Sequence, residues 1–374
     1  MHVPDGFLDL PTSVTTGVVA AGAVGVALRR SKAELGDAGA VRAGLTACFV
    51  FAAQMVNFPV ASGTSGHLLG AALAVALVGP WTACLVMTSV LMVQALFFAD
   101  GGLTALGTNI VLMGVVGVLM AWLVQKAGTT LTRGRVAGPG GVALLAGISA
   151  FVSVPMAALT FALLFAAGGA VPVSFATLVT MMVGTHLVIG IGEAVITSAV
   201  VGAVAATRPD LVRLASAAGR RTELRVTRPD GTTETVPAGT SAQPGASAGA
   251  TAPTPRRMSG ARLATAALAT CAVVAGGLSL LASSSPDGLE WVAERLGFEH
   301  AAQDSAASVS VLADYGLAGM GPWGTGVAGL IGTAATLALA FALVWVARRG
   351  RHRPAATGPA ADGTHAPTAS SERR

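Results

Sequence analysis

Residues 174–207 read SFATLVTMMVGTHLVIGIGEAVITSAVVGAVAAT, and His186 and Glu193 are the ionisable side chains in the run. Crossing about 30 Å of hydrocarbon takes roughly 17–25 apolar residues. A backbone in lipid must satisfy its own hydrogen bonds, so the default structure is a helix. Similar runs precede it at about 12–28, 41–59, 67–79 (short), 80–98, 107–127 and 139–168, and two follow at about 261–282 and 323–346. The expected fold is an all-α membrane protein, with seven transmembrane helices in the body and a two-helix C-terminal hairpin. The division at Gly79-Pro80 is the least defined, because a proline break there suits a kink as well as a turn. Composition points the same way: 53% of the residues are hydrophobic, 11% are charged and the mean hydropathy is +0.70. Soluble domains carry about a quarter charged residues, so a single soluble domain is excluded, and so is a disordered chain. The 48 glycines suit helices packed closely in lipid.

The basic residues set the expected topology. Met1–Leu10 has no basic stretch, carries Asp5 and Asp9 and breaks at Pro4 and Gly6. It does not resemble a signal peptide, so the mature chain is expected to start at Met1, with the bulky His2 protecting it from trimming. With an external N-terminus and nine crossings, all but Arg295 of the 23 basic residues fall on the cytoplasmic side. The net charge of +5 is therefore a topology signal and not a nucleic-acid footprint. The expected organisation is a body at 1–207, a flexible cytoplasmic linker at 208–258, a two-helix unit at 259–347 with an external loop at 283–322, and a disordered cytoplasmic tail at 348–374. Cys48, Cys84 and Cys271 lie in apolar runs and read as small core residues.

Two histidines, His2 and His67, face outside beside the membrane on this topology. A free amine followed by Xaa-His can close two fused rings on one metal through the amine, the second amide nitrogen and the imidazole. One more nitrogen completes a square, which suits Ni(II), Cu(II) or Co(II). Spacing alone leaves two plain readings open: His2 as an accident of the start codon, and His67 as a polar helix end. Gln54, Asn57 and Asn109 lie near outer ends of spans and either orient a ligand or bond a neighbouring helix. His186 and Glu193 are seven apart on one helix face, as a functional pair or as a His–Glu lock. The scattered methionines read as core.

Further residues carry a family resemblance. Met1-His-Val-Pro-Asp-Gly-Phe-Leu8, Asn57-Phe-Pro-Val60, Gly63-Thr-Ser-Gly-His-Leu-Leu-Gly70, Asp100-Gly-Gly-Leu-Thr-Ala-Leu-Gly107 and His186-Leu-Val-Ile-Gly-Ile-Gly-Glu193 resemble the CbiM/NikM family over residues 1–207. These are the cobalt and nickel capture (S) components of energy-coupling-factor ABC transporters. Pro286-Asp-Gly-Leu-Glu290 resembles the PDGLE, or CbiN-like, accessory component, so the chain looks like a fusion of two subunits. The resemblance implies a metal held by the Met1 amine, the His2 backbone nitrogen and imidazole, and the His67 imidazole. It also implies a transmembrane coupling (T) protein and two ATP-binding subunits as partners, and cobalt uptake for cobalamin biosynthesis. Co(II) or Ni(II) is then bound cargo, with no cofactor and no catalytic residue.

The acidic residues of the 283–322 loop, set against Arg295, would concentrate divalent cations at the outer face. The sequence has no Gly-x-x-x-x-Gly-Lys-Ser/Thr loop, no His-Glu-x-x-His and no Cys-x-x-Cys. ATP hydrolysis is therefore expected on separate subunits. A nickel-specific capture subunit, a metal-dependent membrane enzyme using Glu193, and a stand-alone secondary permease are the alternatives.

Overall fold

The structure is a computed structural model describing residues 1–34, 39–61, 63–133, 135–136, 138–219, 223–227, 233–237, 260–317 and 319–349. The body holds α1 (Leu10–Arg30), α2 (Gly39–Gln54), α3 (Ala71–Val78), α4 (Pro80–Phe98), α5 (Leu106–Leu131), α6 (Pro139–Gly168) and α7 (Phe175–Thr207). The short α8 (Arg213–Gly219) follows, then α9 (Gly260–Gly276), α10 (Gly288–Leu296) and α11 (Pro322–Arg349). Among the described residues, seven helices are long and apolar enough to cross a membrane: α1, α4, α5, α6, α7, α9 and α11. The chain is a multi-pass, all-α membrane protein. The 16 residues of α2 are apolar but rise only about 24 Å.

The run at 67–79 is where the structure departs most from the sequence reading. Only Ala71–Val78 is helical, and residues 64–70 enter it as buried, largely extended chain. Ser65–Gly66 pair antiparallel with Phe58–Pro59. Gly70 caps α3 at φ 85°, a left-handed conformation that glycine adopts without a Cβ penalty. Irregular backbone at membrane depth is tolerated here because protein surrounds it. At the other end of α3, Gly79 has φ 91° and Pro80 opens α4, so Gly79-Pro80 separates two helices rather than kinking one.

Together the extended segment and α3 do the work of one crossing. The Glu34 carboxylate accepts from Thr82 N–H at 2.8 Å, which puts Gly79 level with the α1–α2 connection. Met1, the 55–66 segment, the α4–α5 and α6–α7 connections and the 283–317 segment gather at the opposite end. There Asp9 N–H donates to Gly168 O at 2.7 Å, Gly102 N–H to Val3 O at 2.9 Å, and Gln303 N–H to Asp5 O at 2.8 Å.

The longest pairing is α6 against α7. Glycine at 190 allows it, since a Cβ there would meet Phe151 O at 3.3 Å. On α1, Gly17 lies against Gly107 of α5, so part of the small-residue face packs within the body, while Gly22 and Gly25 have open space beside them. The hairpin of α9 and α11 packs on α2, where Cys48 Sγ donates to Thr333 O at 3.5 Å and Gly44 makes room for Leu337 and Phe341. Cys48, Cys84 and Cys271 are buried and free.

The interval read as a flexible linker carries α8 and an antiparallel pair, Glu223–Thr227 with Thr233–Pro237. Val226, Thr227, Thr233, Thr235 and Val236 are β-branched and favour strand, a signal that the surrounding loop composition masks. The rest of that interval (220–222, 228–232 and 238–258) and the tail at 350–374 lie outside the described residues.

Candidate metal centre

The chain start threads into one end of the bundle, where Met1, Val3 and Phe7 are buried. Two side chains pin it. Asn109 Oδ1 accepts from Val3 N–H at 2.8 Å while its amide donates to Val3 O at 3.1 Å. The Asp5 carboxylate accepts from the N–H groups of Leu103, Thr104 and Ala105 and from the Thr104 hydroxyl, closing the turn before α5. Both pins hold residues 3 and 5, so the nitrogens of Met1 and His2 stay available.

Those nitrogens meet His67. The Met1 amine stands 2.6 Å from His67 Nε2, and the rings of His2 and His67 stack at 5.1 Å with 17° between their planes. His67 is positioned from behind: Nδ1 lies 3.1 Å from Leu68 O, and Glu193 accepts from Leu69 N–H at 2.8 Å and Gly70 N–H at 3.1 Å. With its Nδ1–H on a carbonyl, His67 presents the Nε2 lone pair, the arrangement usual for a metal-bound imidazole.

The His2 ring sits between two acceptors. Nε2 is 3.1 Å from Gln94 Oε1, and Nδ1 is 3.0 Å from Asp100 Oδ1. Burial lowers the His2 imidazole to about 4, although Asp100 opposes it. Near neutral pH the ring is uncharged, so one nitrogen bears a lone pair. Behind Gln94, its amide donates to Gln54 Oε1 at 2.8 Å, and the Gln54 amide donates to Leu69 O at 2.7 Å. Gln94 and Asn109 lie at the starts of π-helical stretches, 94–98 and 110–116, a distortion frequent at functional sites.

The C-terminal unit completes the wall. Asp287 caps α10 through Oδ1, which accepts from Leu289 and Glu290 N–H, while Glu290 answers on Asp287 N–H. Its second oxygen, Oδ2, reaches the Met1 ammonium at 2.9 Å and lies 3.8 Å from His67 Nε2. Burial alone would raise the Asp287 carboxyl, but the Met1 ammonium holds it well below the usual range. Burial and the Asp287 charge push Glu290 up. Ser65 N–H donates to Pro286 O and Ser283 N–H to Asn57 O, both at 2.8 Å, which seats the unit on the body. The Tyr315 hydroxyl donates to Asp100 Oδ2. A cavity of ≈ 330 Å³ opens beside His2, His67, Asp100 and Asp287.

The structure thus brings Met1, His2 and His67 together, with Gln54, Asn109 and Glu193 directly behind them. Asn57 contributes a backbone carbonyl and lines the cavity. His186 does not join them: its Nδ1 lies 2.8 Å from Met182 O on the same helix, and its buried Nε2 has no hydrogen-bond partner among the described residues. His186 and Glu193 do not lock each other, because Glu193 is occupied by the backbone of Leu69 and Gly70. Gln94, Asp5, Asp100 and Tyr315 were not singled out in the sequence. Gln94 carries the same signal as Gln54, an amide in an apolar run. Among the described residues, no three His, Cys, Asp or Glu side chains form a metal-binding group.

Known proteins match both parts of the chain. Residues 2–211 match the model of CbiM, the cobalt uptake substrate-specific transmembrane region, and residues 261–349 match the PDGLE domain. An Archaeoglobus fulgidus protein provisionally named a fused nickel transport protein, NikMN, is 31% identical over 93% of this chain and 99% of its own length. The cobalt transport protein CbiM of Sorangium cellulosum is 34% identical over 57% of this chain and 94% of its own. The crystal structure of a truncated transition metal transporter aligns with 54% of this chain and 96% of that one, at 29% identity and a TM-score of 0.48. The chain belongs to the CbiM family of cobalt uptake transmembrane proteins, with a PDGLE domain fused behind it.

Proposed function

We propose that this chain is the capture subunit of an energy-coupling-factor importer for Ni(II) or Co(II). The metal is held by the Met1 amine, the His2 amide nitrogen and imidazole, and the His67 imidazole. One observation carries the reading: the 2.6 Å approach of the Met1 amine to His67 Nε2 in a buried pocket. With metal–nitrogen bonds of about 2.0 Å, neighbouring corners of a square would stand about 2.8 Å apart. Binding takes one proton from the ammonium and one from the His2 amide. The all-nitrogen set discriminates against Mg(II) and Ca(II), which prefer oxygen ligands.

In this reading the Met1 end faces outside, because the basic residues cluster on the other side. A transmembrane coupling protein and two ATP-binding subunits supply the energy, and the open face of α1 at Gly22 and Gly25 is available to the coupling protein. Cobalt cargo would feed cobalamin biosynthesis. The nitrogen donors favour nickel over cobalt by the divalent affinity order, and the A. fulgidus relative that shares both units is named for nickel.

Competition between Ni(II) and Co(II) on purified, N-terminally untagged chain tests the reading, with nickel expected to displace cobalt. Inserting one residue between Met1 and His2 gives an Xaa-Xaa-His start that can chelate with four nitrogens of its own. His67 should then become dispensable. An unchanged requirement for His67, with unchanged capture, would remove the chelate. Uptake into proteoliposomes by this chain alone, without ATP, would instead mark a secondary permease.

A further inference from the structure

We infer that Gln94 and Gln54 form a polarity relay that fixes the tautomer of His2, turning the Nδ1 lone pair toward the cargo. This rests on the proposed chelate and names how its imidazole is prepared. A chelate that starts at the amine closes through Nδ1, since that nitrogen lies nearer the backbone. A neutral histidine divides between two tautomers, and the one with Nδ1–H cannot close the ring.

The relay has a fixed direction because it ends on a backbone carbonyl. Leu69 O accepts only, so the Gln54 amide must donate to it (2.7 Å) and Gln54 Oε1 must face away. The Gln94 amide fills that acceptor at 2.8 Å, which leaves Gln94 Oε1 toward His2. At 3.1 Å from Nε2, that oxygen accepts from Nε2–H and so favours the tautomer whose Nδ1 is bare. Both glutamines are buried, Gln94 at 0% exposure and Gln54 at 5%, so water does not compete for the orientation. Flipping either amide would set donor against donor or acceptor against acceptor along the line.

The other ring nitrogen faces a second acceptor. Nδ1 lies 3.0 Å from Asp100 Oδ1, so the carboxylate competes with the relay for the single proton of the neutral ring. The other Asp100 oxygen accepts from the Tyr315 hydroxyl, which draws on the carboxylate's accepting capacity. A metal on Nδ1 ends the competition, because the ring proton then stays on Nε2 with Gln94 Oε1 as its acceptor. The relay also begins two residues beyond His67, at Leu69, so one short segment places one imidazole and biases the proton of the other.

The test uses full-length protein with ¹⁵N-labelled histidine, whose ring shifts distinguish the two tautomers, and His2→Gln identifies the signal. The wild type should show Nε2–H alone, and nickel should shift its Nδ1. Gln94→Leu should give a mixed tautomer and about tenfold weaker nickel binding. Gln94→Glu, whose buried carboxyl in its protonated form donates to Gln54 Oε1 and keeps an acceptor at Nε2, should restore both below the pH at which it ionises. Gln54→Leu, which leaves Gln94 free to turn, should act in the same direction with a smaller loss. The inference is overturned if wild-type His2 carries Nδ1–H, or if Gln94→Leu and Gln54→Leu both leave the tautomer unchanged. If nickel binds the protein and leaves His2 untouched, the chelate itself is wrong and the relay falls with it.

Discussion

The two ends of the helical bundle each bury an acid beside a broken helix, and they use it differently. At the end away from Met1, Glu34 accepts from the N–H and hydroxyl of Thr82 and lies 4.0 Å from Arg213. Its partners are a peptide N–H, a hydroxyl and a guanidinium, none of which offers a metal a nitrogen lone pair. At the Met1 end, Asp287 and Asp100 face an amine and an imidazole, which become metal donors once they lose a proton or present the right tautomer. A ≈ 490 Å³ cavity lies at the Glu34 end, larger than the ≈ 330 Å³ one beside His67, yet it carries no comparable donors. Donor chemistry, not room, separates the proposed metal site from the structural one.

The sharpest way to break this contrast is His67→Ala. Removing one of four nitrogens should cost at least about 100-fold in Ni(II) affinity by equilibrium competition. The protein should still assemble in the membrane, because His67 does not hold the irregular segment in place. Unchanged affinity would show that the Met1 end owes nothing to His67.

Glu193→Gln probes the support behind it. The carboxylate binds two consecutive peptide N–H groups, and an amide can offer one oxygen while its NH₂ opposes the other. We expect about tenfold weaker nickel binding and about 1–3 kcal/mol lower stability, read by competition and thermal unfolding in detergent. A stability loss with full affinity would make Glu193 a helix-packing residue only.

These effects also separate what the sequence made legible from what it hid. The spans and the meeting of Met1, His2 and His67 could be read because each has a local signature: long apolar runs, an amine next to Xaa-His, and a histidine closing a glycine-rich loop. The unwinding at 64–70 was hidden because apolar residues line it, and hydropathy does not distinguish a buried helix from buried extended chain. Gly70 and Gly79 were the available signals, at the two ends of α3. Asp5 and Asp100 stood inside matched motifs, but their partners lie about 100 residues away or in the C-terminal unit. The contact of Asp287 with Met1 joins the first residue to one in the C-terminal unit, and charge counting reduced it to an acidic loop.

Asp5→Ala tests the pin on the chain start. Four hydrogen bonds from residues 103–105 end on that carboxylate. Without them Met1 and His2 lose part of their preorganisation, and nickel affinity should fall about three- to tenfold. The loss should appear mainly as faster metal release, measured by transfer to a chelator. Asn109 remains to hold Val3, which keeps the effect below that of Glu193→Gln.

The smallest expected effect sits at the far end and bears most directly on the contrast. Glu34→Gln keeps one acceptor for Thr82 and removes the charge facing Arg213, so stability should fall by about 1 kcal/mol. Nickel affinity should stay within about twofold of wild type, since no donor has changed. The ends are nonetheless joined by α3, whose eight residues run from Gly70, held by Glu193, to Gly79, beside Glu34. A helix this short, packed on all sides, transmits displacement better than it absorbs it. If Glu34→Gln shifts nickel affinity more than about fivefold, α3 acts as a strut between the two ends. The acid at the far end would then tune the very site from which its chemistry excludes it.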